Sequence, residues 1–505
     1  MAVSCTGRHP LCDTDKVTDA HLPELRLGAG QLTLTAAEIA AATGGRLMHS
    51  SDRAIRGGAV DSRQVRPGNL FVALAGDRTD GHRFLAEAVA AGASALLVAD
   101  TAVASPVLDT AVAASAGMGG LTVVAVPDTL LGLHAVAAAW RLRFTPLVIG
   151  VTGSVAKTST KEAIAAVLSE RYVTLKNEGN ANNEIGLPLT VLRMGPEHEA
   201  AVLEMGMYVG GEIAQLAAIA RPRIGVVTSV REVHLSRIGS IEAVERAKGE
   251  LIEALPDDGV AVLNGDDKRV VRMRNRTSAR SLTYGFSPDA DVRAVDVESE
   301  GLGGMRFTLV APAGRCAART PALGRHGVHN GLAAAAVGLA AGLDLDLIAA
   351  GLRRGWQAPH RDQIVRAGAY TILDDSYNAS PTSMIAALEL LSTLPGRHVA
   401  VLGGMRELGE AEERGHREVG EAAAALADMV VVVGGQAAGI AAGAASLGEA
   451  VVAVPDREAA LVALREKLRP GDAVLIKASR GAELEWLVDA LAGELGGRVA
   501  VEDDR

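Results

Sequence analysis

Leu147-Val-Ile-Gly-Val-Thr-Gly-Ser-Val-Ala-Lys-Thr-Ser-Thr-Lys161 is the stretch around which the rest of the chain is organised. Its first five residues are apolar and mostly β-branched, which is typical of a buried parallel strand. A glycine-containing turn follows, and Lys157 and Thr158 then open a run of helix-forming residues. A strand, a glycine-rich loop and a helix in this order form a phosphate cradle, because backbone N–H groups and the helix N-terminus face the anion.

The predicted phosphate contacts are the residues of this loop and of the helix start, namely Gly153, Ser154, Val155, Ala156, Lys157, Thr158 and Ser159. Lys157 can reach the outer phosphates, and the Thr158 hydroxyl can bind Mg²⁺. An ordinary strand-to-helix turn is the alternative interpretation. The phosphate-loop pattern has glycine immediately before the lysine, whereas this chain has Ala156. A Cβ at that position is expected to crowd the phosphate or to disfavour the backbone angles of the loop.

Composition limits the classes of protein to which the chain can belong. Its 505 residues are too many for one hydrophobic core, so three domains are expected. A formal charge of −10 argues against nonspecific nucleic-acid binding. Three cysteines cannot build a disulfide framework, which favours a reducing cytoplasm. No stretch reaches about 18 uninterrupted apolar residues, so a membrane span is not expected.

Strand and helix patterns divide the chain into four parts. Residues 1–31 are expected to be a flexible tail, and residues 32–145 a small α/β domain. Residues 146–344 form a central domain around the phosphate loop, with a mostly parallel sheet and an antiparallel addition near residues 292–310. In residues 345–505, strands alternate with helices, which implies a parallel sheet with right-handed crossovers.

Polar loops of the first domain flank a buried strand predicted at residues 70–74. They carry Ser62, Arg63, Asp80 and His82. Such loops could bind a phosphorylated or nucleoside group, and solvated turns are the alternative.

Further polar residues follow the phosphate loop in the central domain. The segment Asn177–Pro188 is dense in amides, which suit neutral contacts to phosphate or substrate. Glu204 ends a predicted strand, and a carboxylate at the carboxyl end of a parallel strand beside a phosphate loop is well placed to hold Mg²⁺. Lys248 lies on a predicted helix, where surface exposure is the ordinary expectation.

Taken together, these stretches resemble the Mur ligase family over roughly residues 32–490. The most discriminating pieces are Asp61-Ser-Arg63 with Asp80-Gly-His82, the amide loop Asn180–Gly186, and Asp374-Asp-Ser-Tyr-Asn-Ala-Ser-Pro381. The last piece resembles the branch that adds D-alanyl-D-alanine to UDP-N-acetylmuramoyl-tripeptide, rather than the Asp-Asn-Pro-Arg motif of the branch that adds diaminopimelate or lysine. Two shorter segments, Leu402–Gly409 and Ile476–Arg480, also resemble that first branch.

The resemblance implies three α/β domains: a UDP-binding N-terminal domain, a central ATP-binding domain of the P-loop ATPase type, and a C-terminal Rossmann-like ligase domain. It implies an ATP-dependent, ADP-forming cytoplasmic amide ligase of peptidoglycan precursor synthesis, which acts through an acyl phosphate. The expected partners are small-molecule substrates and two Mg²⁺ ions, with no nucleic acid and no membrane span, and a monomer is expected.

The resemblance also assigns roles to individual residues. It implies that Lys157, Lys248, His234 and Asn183 are catalytic, and that the metal ligands are Thr158, Glu204, His234 and Lys248, the last as a carbamylated lysine. Beyond the phosphate loop, it implies that ATP is contacted by Asn330, Arg361 and Asp375. The implied substrate contacts are Ser62, Arg63, Asp80, His82, Asn182, Asn378 and Ser380.

Several positions depart from the family pattern, namely Ala156, Gly327, Ser380, Gly404 and Ala478. They put nucleotide affinity and amine specificity in question more than the type of reaction. Two alternatives to the D-alanyl-D-alanine-adding ligase therefore stay open: a diverged ligase of the same type that joins another amine, and a nucleotide-binding scaffold that has lost catalysis. A P-loop motor is disfavoured, because it would leave the N-terminal domain unexplained.

Overall fold

The computed structural model describes residues 32–76, 79–231, 238–406 and 408–496. The predicted tail of residues 1–31 and the predicted metal ligand His234 lie outside these ranges. The chain divides into two compact units between Arg143 and Phe144. Among the helices of the described ranges, none combines the length and the apolar character that a membrane crossing requires.

The first unit is a five-stranded sheet with helices packed on it. Its strands lie in the order β1-β5-β4-β3-β2, and only β1 runs antiparallel to its neighbour. The elements are β1 (Arg46–His49), β2 (Gly58–Ala59), β3 (Leu70–Val72), β4 (Ala95–Ala99), β5 (Thr122–Val126), α1 (Ala36–Thr43), α2 (Leu85–Ala90), α3 (Pro106–Ser115) and α4 (Thr129–Arg141). Thr35 caps α1 in a capping box with Glu38.

The second unit contains two sheets, and the larger one has nine strands. Its order is β14-β13-β12-β11-β10-β9-β6-β8-β7, and all neighbours run parallel except in two pairs. The antiparallel pair β12-β13 is the addition predicted near residues 292–310, and the antiparallel pair β13-β14 extends it by a strand that the sequence did not predict. The strands are β6 (Leu147–Thr152), β7 (Thr174–Lys176), β8 (Ala200–Glu204), β9 (Ile224–Val227), β10 (Val260–Asn264), β11 (Arg280–Gly285), β12 (Val292–Ser299), β13 (Met305–Ala311) and β14 (Gly314–Thr320).

Seven helices among the described residues accompany this sheet. They are α5 (Lys157–Leu168), α6 (Gly186–Val191), α7 (Glu212–Ala220), α8 (Ile241–Glu253), α9 (Lys268–Arg272), α10 (Gly324–Ala340) and α11 (Leu345–Arg354). Helix α10 consists mostly of Ala, Leu, Val and Gly in its second half and is buried in the core of the sheet, as its composition predicts.

Helix α11 belongs to the core of the nine-stranded sheet. Its Ile348 and Leu352 are fully buried there, and a Cβ on Gly351 would lie 2.6 Å from the Val167 Cα of α5. The predicted domain boundary at residue 345 stands at the N-terminus of this helix. The packing therefore places the change from one sheet to the other after α11 rather than before it.

The second sheet has six strands in the order β15-β16-β20-β17-β18-β19. All are parallel except β15, which pairs antiparallel with β16. Its elements are β15 (Gln363–Ala367), β16 (Tyr370–Asp374), β17 (His398–Gly403), β18 (Met429–Val433), β19 (Val451–Val454), β20 (Ala473–Lys477), α12 (Pro381–Ser392), α13 (Glu412–Leu426), α14 (Ala438–Gly443), α15 (Arg457–Lys467) and α16 (Glu485–Glu494). Two hydrophobic cores accompany it. The three-sheet α/β class predicted from the sequence is confirmed.

Gly420 in α13 and Gly493 in α16 are two helical glycines with opposite surroundings. A Cβ on Gly420 would lie 2.2 Å from the Ile440 carbonyl oxygen, whereas a Cβ on Gly493 meets nothing within 4 Å. We expect Gly420→Ala to lower the free energy of unfolding by about 1–3 kcal/mol through overpacking. We expect Gly493→Ala to raise it by about 0.5–1 kcal/mol through helix propensity. Urea denaturation midpoints of the two variants would contradict this packing if they shifted in the same direction.

Candidate active site

The phosphate loop joins the end of β6 to the start of α5. Gly153 has φ 153°, and a Cβ there would lie 1.9 Å from the Thr228 hydroxyl oxygen, so the position requires glycine. Ala156 precedes the helix with φ 66° and ψ 7°, which is the left-handed region. A non-glycine residue there is strained by about 1–2 kcal/mol. The predicted misfit of Ala156 with the backbone angles of the loop is therefore present.

The segment after β9 holds the loop in place. The Ser154 N–H donates to the Ser229 carbonyl at 2.8 Å, and the Val155 N–H donates to the Ser229 hydroxyl at 3.1 Å. The Thr228 hydroxyl donates to the Val155 carbonyl at 2.6 Å. Strands β6 and β9 are neighbours, so the loop is braced by the adjacent strand end rather than by its own residues alone.

A cleft of about 540 Å³ opens beside the phosphate loop. It runs along the carboxyl ends of β6 and β8 in the larger sheet and of β16, β20 and β17 in the smaller one, which is where open α/β sheets bind ligands. It brings together most of the residues predicted for the central and C-terminal domains: Ser154, Val155, Ala156, Lys157, Thr158, Ser159, Asn182, Asn183, Glu204, Asn330, Arg361, Asp375, Asn378 and Ser380.

Glu204 is a buried carboxylate with one oxygen unpaired. Its Oε1 accepts from the Asn182 amide at 2.7 Å, and Asn177 holds its backbone with bonds of 2.9 and 3.1 Å. Its Oε2 has no hydrogen-bond partner among the described residues. A buried, unpaired carboxylate oxygen is costly unless a cation completes it. The donor set therefore fits Mg²⁺, with the Thr158 hydroxyl in the same cleft as a second oxygen.

Other metal-binding chemistry is not evident in the described part of the chain. It contains no group of three or more His, Cys, Asp or Glu residues arranged to hold an ion. A cation at Glu204 would therefore draw its remaining ligands from hydroxyls, substrate oxygens and water, which is the usual pattern for Mg²⁺ at a phosphate site.

Lys157 is the cation of the phosphate loop. Its ammonium donates to the Gly153 carbonyl at 2.9 Å. Burial lowers the pKa of Lys157, the charge of Arg361 lowers it further, and the Glu204 carboxylate opposes the shift. The Lys157 ammonium is thus influenced by the Glu204 carboxylate of the larger sheet and by the guanidinium of Arg361, which precedes the smaller sheet.

Lys248 is buried in α8, with 2% of its surface exposed. Exposure, the ordinary expectation for a helical lysine, is therefore wrong here. Burial, together with repulsion from Lys157, holds its pKa well below the usual value. Within the described residues its amine forms no ion pair or hydrogen bond, and the charged group that acts on its pKa is another cation, Lys157.

Asp375 reaches the cleft beside a buried lysine. Burial raises the pKa of Asp375 to about 6, although the nearby charge of Lys477 opposes the shift. The Lys477 ammonium donates to Asp375 Oδ2 at 2.5 Å and to the Asn378 carbonyl at 2.9 Å. The sequence contains no local signal of this pairing, because the partners of Lys477 lie about a hundred residues away along the chain.

The turn between the two sheets presents Arg361. His360 and Asp362 on either side have φ values of 58° and 49°, both left-handed. The Nδ1 atom of His360 forms a hydrogen bond of 2.8 Å with Oδ2 of the buried Asp374. The Arg361 guanidinium lies 4.4 Å from the centre of the Tyr377 ring. The sequence missed Tyr377 as a site residue, although it stands in the middle of the segment that pointed to the family.

Asn330 and His326 lie on α10 at the edge of the cleft. The Asn330 side-chain oxygen accepts from the Thr160 hydroxyl at 3.1 Å, so its amide nitrogen points away from that bond. His326 forms an ion pair with Asp362 at 3.1 Å. Burial lowers the pKa of His326, but the Asp362 carboxylate outweighs this effect and the pKa is raised.

The four residues predicted to contact substrate in the first unit lie on its loops. Ser62 donates to Glu87 at 3.1 Å. The exposed Arg63 donates to the Asp61 carboxylate at 2.6 Å and has no other side-chain partner among the residues that the structure describes. His82 is held at both ring nitrogens, by the Asp80 carboxylate at 2.6 Å and by the Ala99 N–H at 2.9 Å. His82 therefore fixes this loop to the end of β4.

Comparisons with known proteins identify the family of the chain. Three family models match: "Mur ligase family, catalytic domain" over residues 54–138, "Mur ligase middle domain" over 151–338 and "Mur ligase, glutamate ligase domain" over 360–480. The chain is 39% identical to the UDP-N-acetylmuramoyl-tripeptide–D-alanyl-D-alanine ligase of Escherichia coli K12, over 85% of this chain and 92% of that protein.

Solved structures give the same result. MurF from Acinetobacter baumannii superposes with a TM-score of 0.80 at 30% identity, covering 91% of this chain and 99% of that one. MurF ligase from Thermotoga maritima, solved in complex with ADP, has a TM-score of 0.75 at 30% identity and covers 87% and 98%. With matches along all three sheets and a phosphate-loop cleft between two of them, the chain belongs to the Mur ligase family.

Proposed function

We propose that this chain is an ATP-dependent, ADP-forming ligase that adds D-alanyl-D-alanine to UDP-N-acetylmuramoyl-tripeptide in peptidoglycan precursor synthesis. The observation that carries the proposal is the single cleft in which the phosphate loop and Glu204 of one sheet meet Arg361 and Asp375 of the other. Three of the relatives named for this reaction are 38–39% identical over 85–92% of the chain. A diverged ligase for another amine is not favoured by any of them.

The chemistry explains why one cleft needs so many cations. A carboxylate is a poor electrophile, because its negative charge repels the lone pair of an amine. Transfer of the ATP γ-phosphoryl group to that carboxylate gives an acyl phosphate and ADP. The amine then attacks the acyl carbon, and phosphate leaves through a tetrahedral intermediate. Both steps concentrate negative charge, so they need fixed positive groups and hydrogen-bond donors around the reacting atoms.

The residues of the cleft divide this work. Lys157 binds the outer phosphates from the loop, and Arg361 binds them from the opposite side. Asn330 contacts the adenine, and the Asp375 carboxylate contacts the ribose. Asn182 and Asn183 lie on the amide loop, where Asn182 also fixes the orientation of Glu204. Asn378 and Ser380 follow β16 and face the incoming substrates.

Glu204 Oε2 and the Thr158 hydroxyl would hold Mg²⁺, which supplies charge neutralisation at the transferred phosphoryl group. His234 is the proposed contact of a second ion and lies outside the described residues. Cytoplasmic location and a monomeric state complete the proposal, in line with small-molecule substrates.

Lys248 fits the proposed carbamylated lysine. Only a neutral amine adds CO₂, and the lowered pKa of Lys248 favours that neutral form. The product carries an anionic carboxylate-like group in place of an ammonium. That group would remove the repulsion with Lys157 and would offer oxygen atoms to a divalent cation.

The proposed function can be tested with the purified full chain. We expect ADP release and a product of the mass of the pentapeptide nucleotide only when ATP, Mg²⁺, UDP-N-acetylmuramoyl-tripeptide and D-alanyl-D-alanine are all present. Lys157→Ala is expected to abolish turnover, whereas the matched change Lys268→Ala, in α9 and away from the cleft, is expected to leave it unchanged. No turnover by the wild type would favour the scaffold, and turnover only with another amine would favour the diverged ligase.

Ala156→Gly is expected to lower the apparent KM for ATP by up to about fivefold, because glycine removes left-handed strain of about 1 kcal/mol from the loop. The KM for D-alanyl-D-alanine should stay unchanged, since the strain lies under the phosphates. Ala156→Val, with a β-branched side chain at the same position, should raise the KM for ATP. Steady-state kinetics of the three proteins measure this effect, and identical values for ATP would reject the strain argument.

Lys248→Met replaces a buried amine by an apolar side chain of similar length. We expect the variant to be more stable, by about 0.5–2 kcal/mol, since the desolvation of the amine is removed. We expect kcat to fall by about 10²–10³-fold, because the oxygen ligand is lost. Wild-type activity should decrease in CO₂-depleted buffer and recover with bicarbonate. A fully active Met variant, or a wild type indifferent to bicarbonate, would remove Lys248 from the mechanism.

A further inference from the structure

Two guanidinium groups in the cleft have no function in the scheme above. Arg406 follows β17, and Arg480 follows β20, the neighbouring parallel strand. Neither forms an ion pair within the described residues. Other arginines of the same sheet layer do, such as Arg397 with Asp472 at 2.7 Å and Arg457 with Glu483 at 2.7 Å.

We propose that Arg406 and Arg480 form the subsite for the carboxylate of the incoming amine substrate. The inference rests on the proposed function and extends it to the residues that recognise the free acid end of the dipeptide. The class of ligand is a short peptide with a free C-terminal carboxylate.

Tyr377 separates this pair from the phosphate-binding groups. Arg361 lies on its ring at 4.4 Å, and the Arg480 guanidinium lies 5.4 Å from the ring centre with Nη1 3.4 Å from the hydroxyl oxygen. The phenol thus stands between two cations without neutralising either one. The charge of Arg361 acts on Lys157 of the phosphate loop, where it helps to lower the pKa of that ammonium group. Arg480 is left for a second anion on the other side of the ring.

Gly481 makes room for Arg406 beside Arg480. The Arg406 N–H donates to the Ser479 hydroxyl at 3.0 Å, so the backbone of one loop is fixed to the other. A Cβ on Gly481 would lie 2.0 Å from Arg406 Nη1 and 2.3 Å from its Cζ. The guanidinium therefore rests on the bare backbone of Gly481, and any side chain there would displace it.

The neighbouring surface of the cleft suits a dipeptide of small residues. Ala386, Ala387 and Leu408 provide short aliphatic contacts, and Thr382 and Ser383 provide hydroxyls. Two guanidinium groups bind a carboxylate through charge-assisted hydrogen bonds, while the methyl groups of the dipeptide find apolar partners beside it.

The experiment compares D-alanyl-D-alanine with D-alanyl-D-alaninamide, which keeps the reacting amine and loses the carboxylate. We expect wild-type kcat/KM to favour the acid by about ten- to a hundredfold, the range for hydrogen bonds to a charged group. Arg406→Gln and Arg480→Gln should each reduce this preference by raising the KM for the acid, with little change for the amide. KM for ATP and for the tripeptide nucleotide should change by less than about twofold.

Matched controls separate recognition from structure. Arg366→Gln, on the exposed side of β15 in the same sheet, should keep the full preference for the acid. Arg480→Lys should recover part of it, because the charge is retained. Gly481→Ala should weaken it as well, because the Cβ displaces the Arg406 guanidinium.

The outcomes distinguish the two proposals. A wild type that makes no product with D-alanyl-D-alanine overturns the proposed function, and the subsite with it. A wild type that turns over acid and amide equally well overturns the subsite alone. Variants whose kcat/KM falls by the same factor for the acid and for the amide also overturn the subsite. Variants that instead raise the KM for the tripeptide nucleotide overturn it too, since the guanidinium groups would then act elsewhere.

Discussion

Buried charge without an internal counter-charge is the constraint on which the rest of this molecule depends. Glu204 has an unpaired oxygen, and Lys248 has no acceptor among the described residues. Removing such groups from water is unfavourable, and a fold tolerates them only where a bound ligand supplies the missing partner. The parallel sheet makes this possible for Glu204, because the end of β8 brings the carboxylate to the edge of the sheet and the strands supply the hydrophobic burial, whereas Lys248 is supplied by helix α8.

In the smaller sheet, buried charges are paired within the protein. There Asp375 is paired with Lys477, and Asp374 with His360, so the buried charges are satisfied before any ligand arrives. The cations left over are arginines at the cleft, which stay charged at any physiological pH. The side of the cleft formed by the larger sheet thus has groups that suit a cation and phosphate. The side formed by the smaller sheet has permanently charged arginines that suit anions.

Much of the fold could be predicted from the sequence. Apolar β-branched runs predict central strands such as β6, because strands buried on both faces leave that pattern. The short edge strands β1, β2 and β7 are not predicted, since two to four residues carry too little periodicity, and the longer strands β11, β14 and β15 are not predicted either. Helix α11 was assigned to the third domain because amphipathic spacing shows that a helix packs, but not on which sheet.

In the candidate site, too, some features follow from local sequence patterns and others depend on contacts between distant segments. The loop residues, Glu204 and the strain at Ala156 follow from local patterns, and their positions agree with expectation. The burial of Lys248 and the pairing of Lys477 with Asp375 depend on contacts between distant segments, which no local pattern contains. Tyr377 was overlooked for another reason: an aromatic residue in a polar motif has no single chemical meaning until its neighbours are known.

The turn that carries Arg361 has a consequence for how the two sheets can move. The chain passes from the larger sheet to the smaller one once, through the residues between α11 and β15, and Arg361 lies on that passage between two left-handed residues. The connection between the two sheets and the proposed nucleotide contact are therefore the same few residues. Any rotation of one sheet against the other would also turn the Arg361 guanidinium. A nucleotide bound to that guanidinium would therefore restrict the rotation. A β-branched residue at position 360 or 362 disfavours the left-handed backbone there, so it would change both the path of the connection and the direction of the Arg361 side chain.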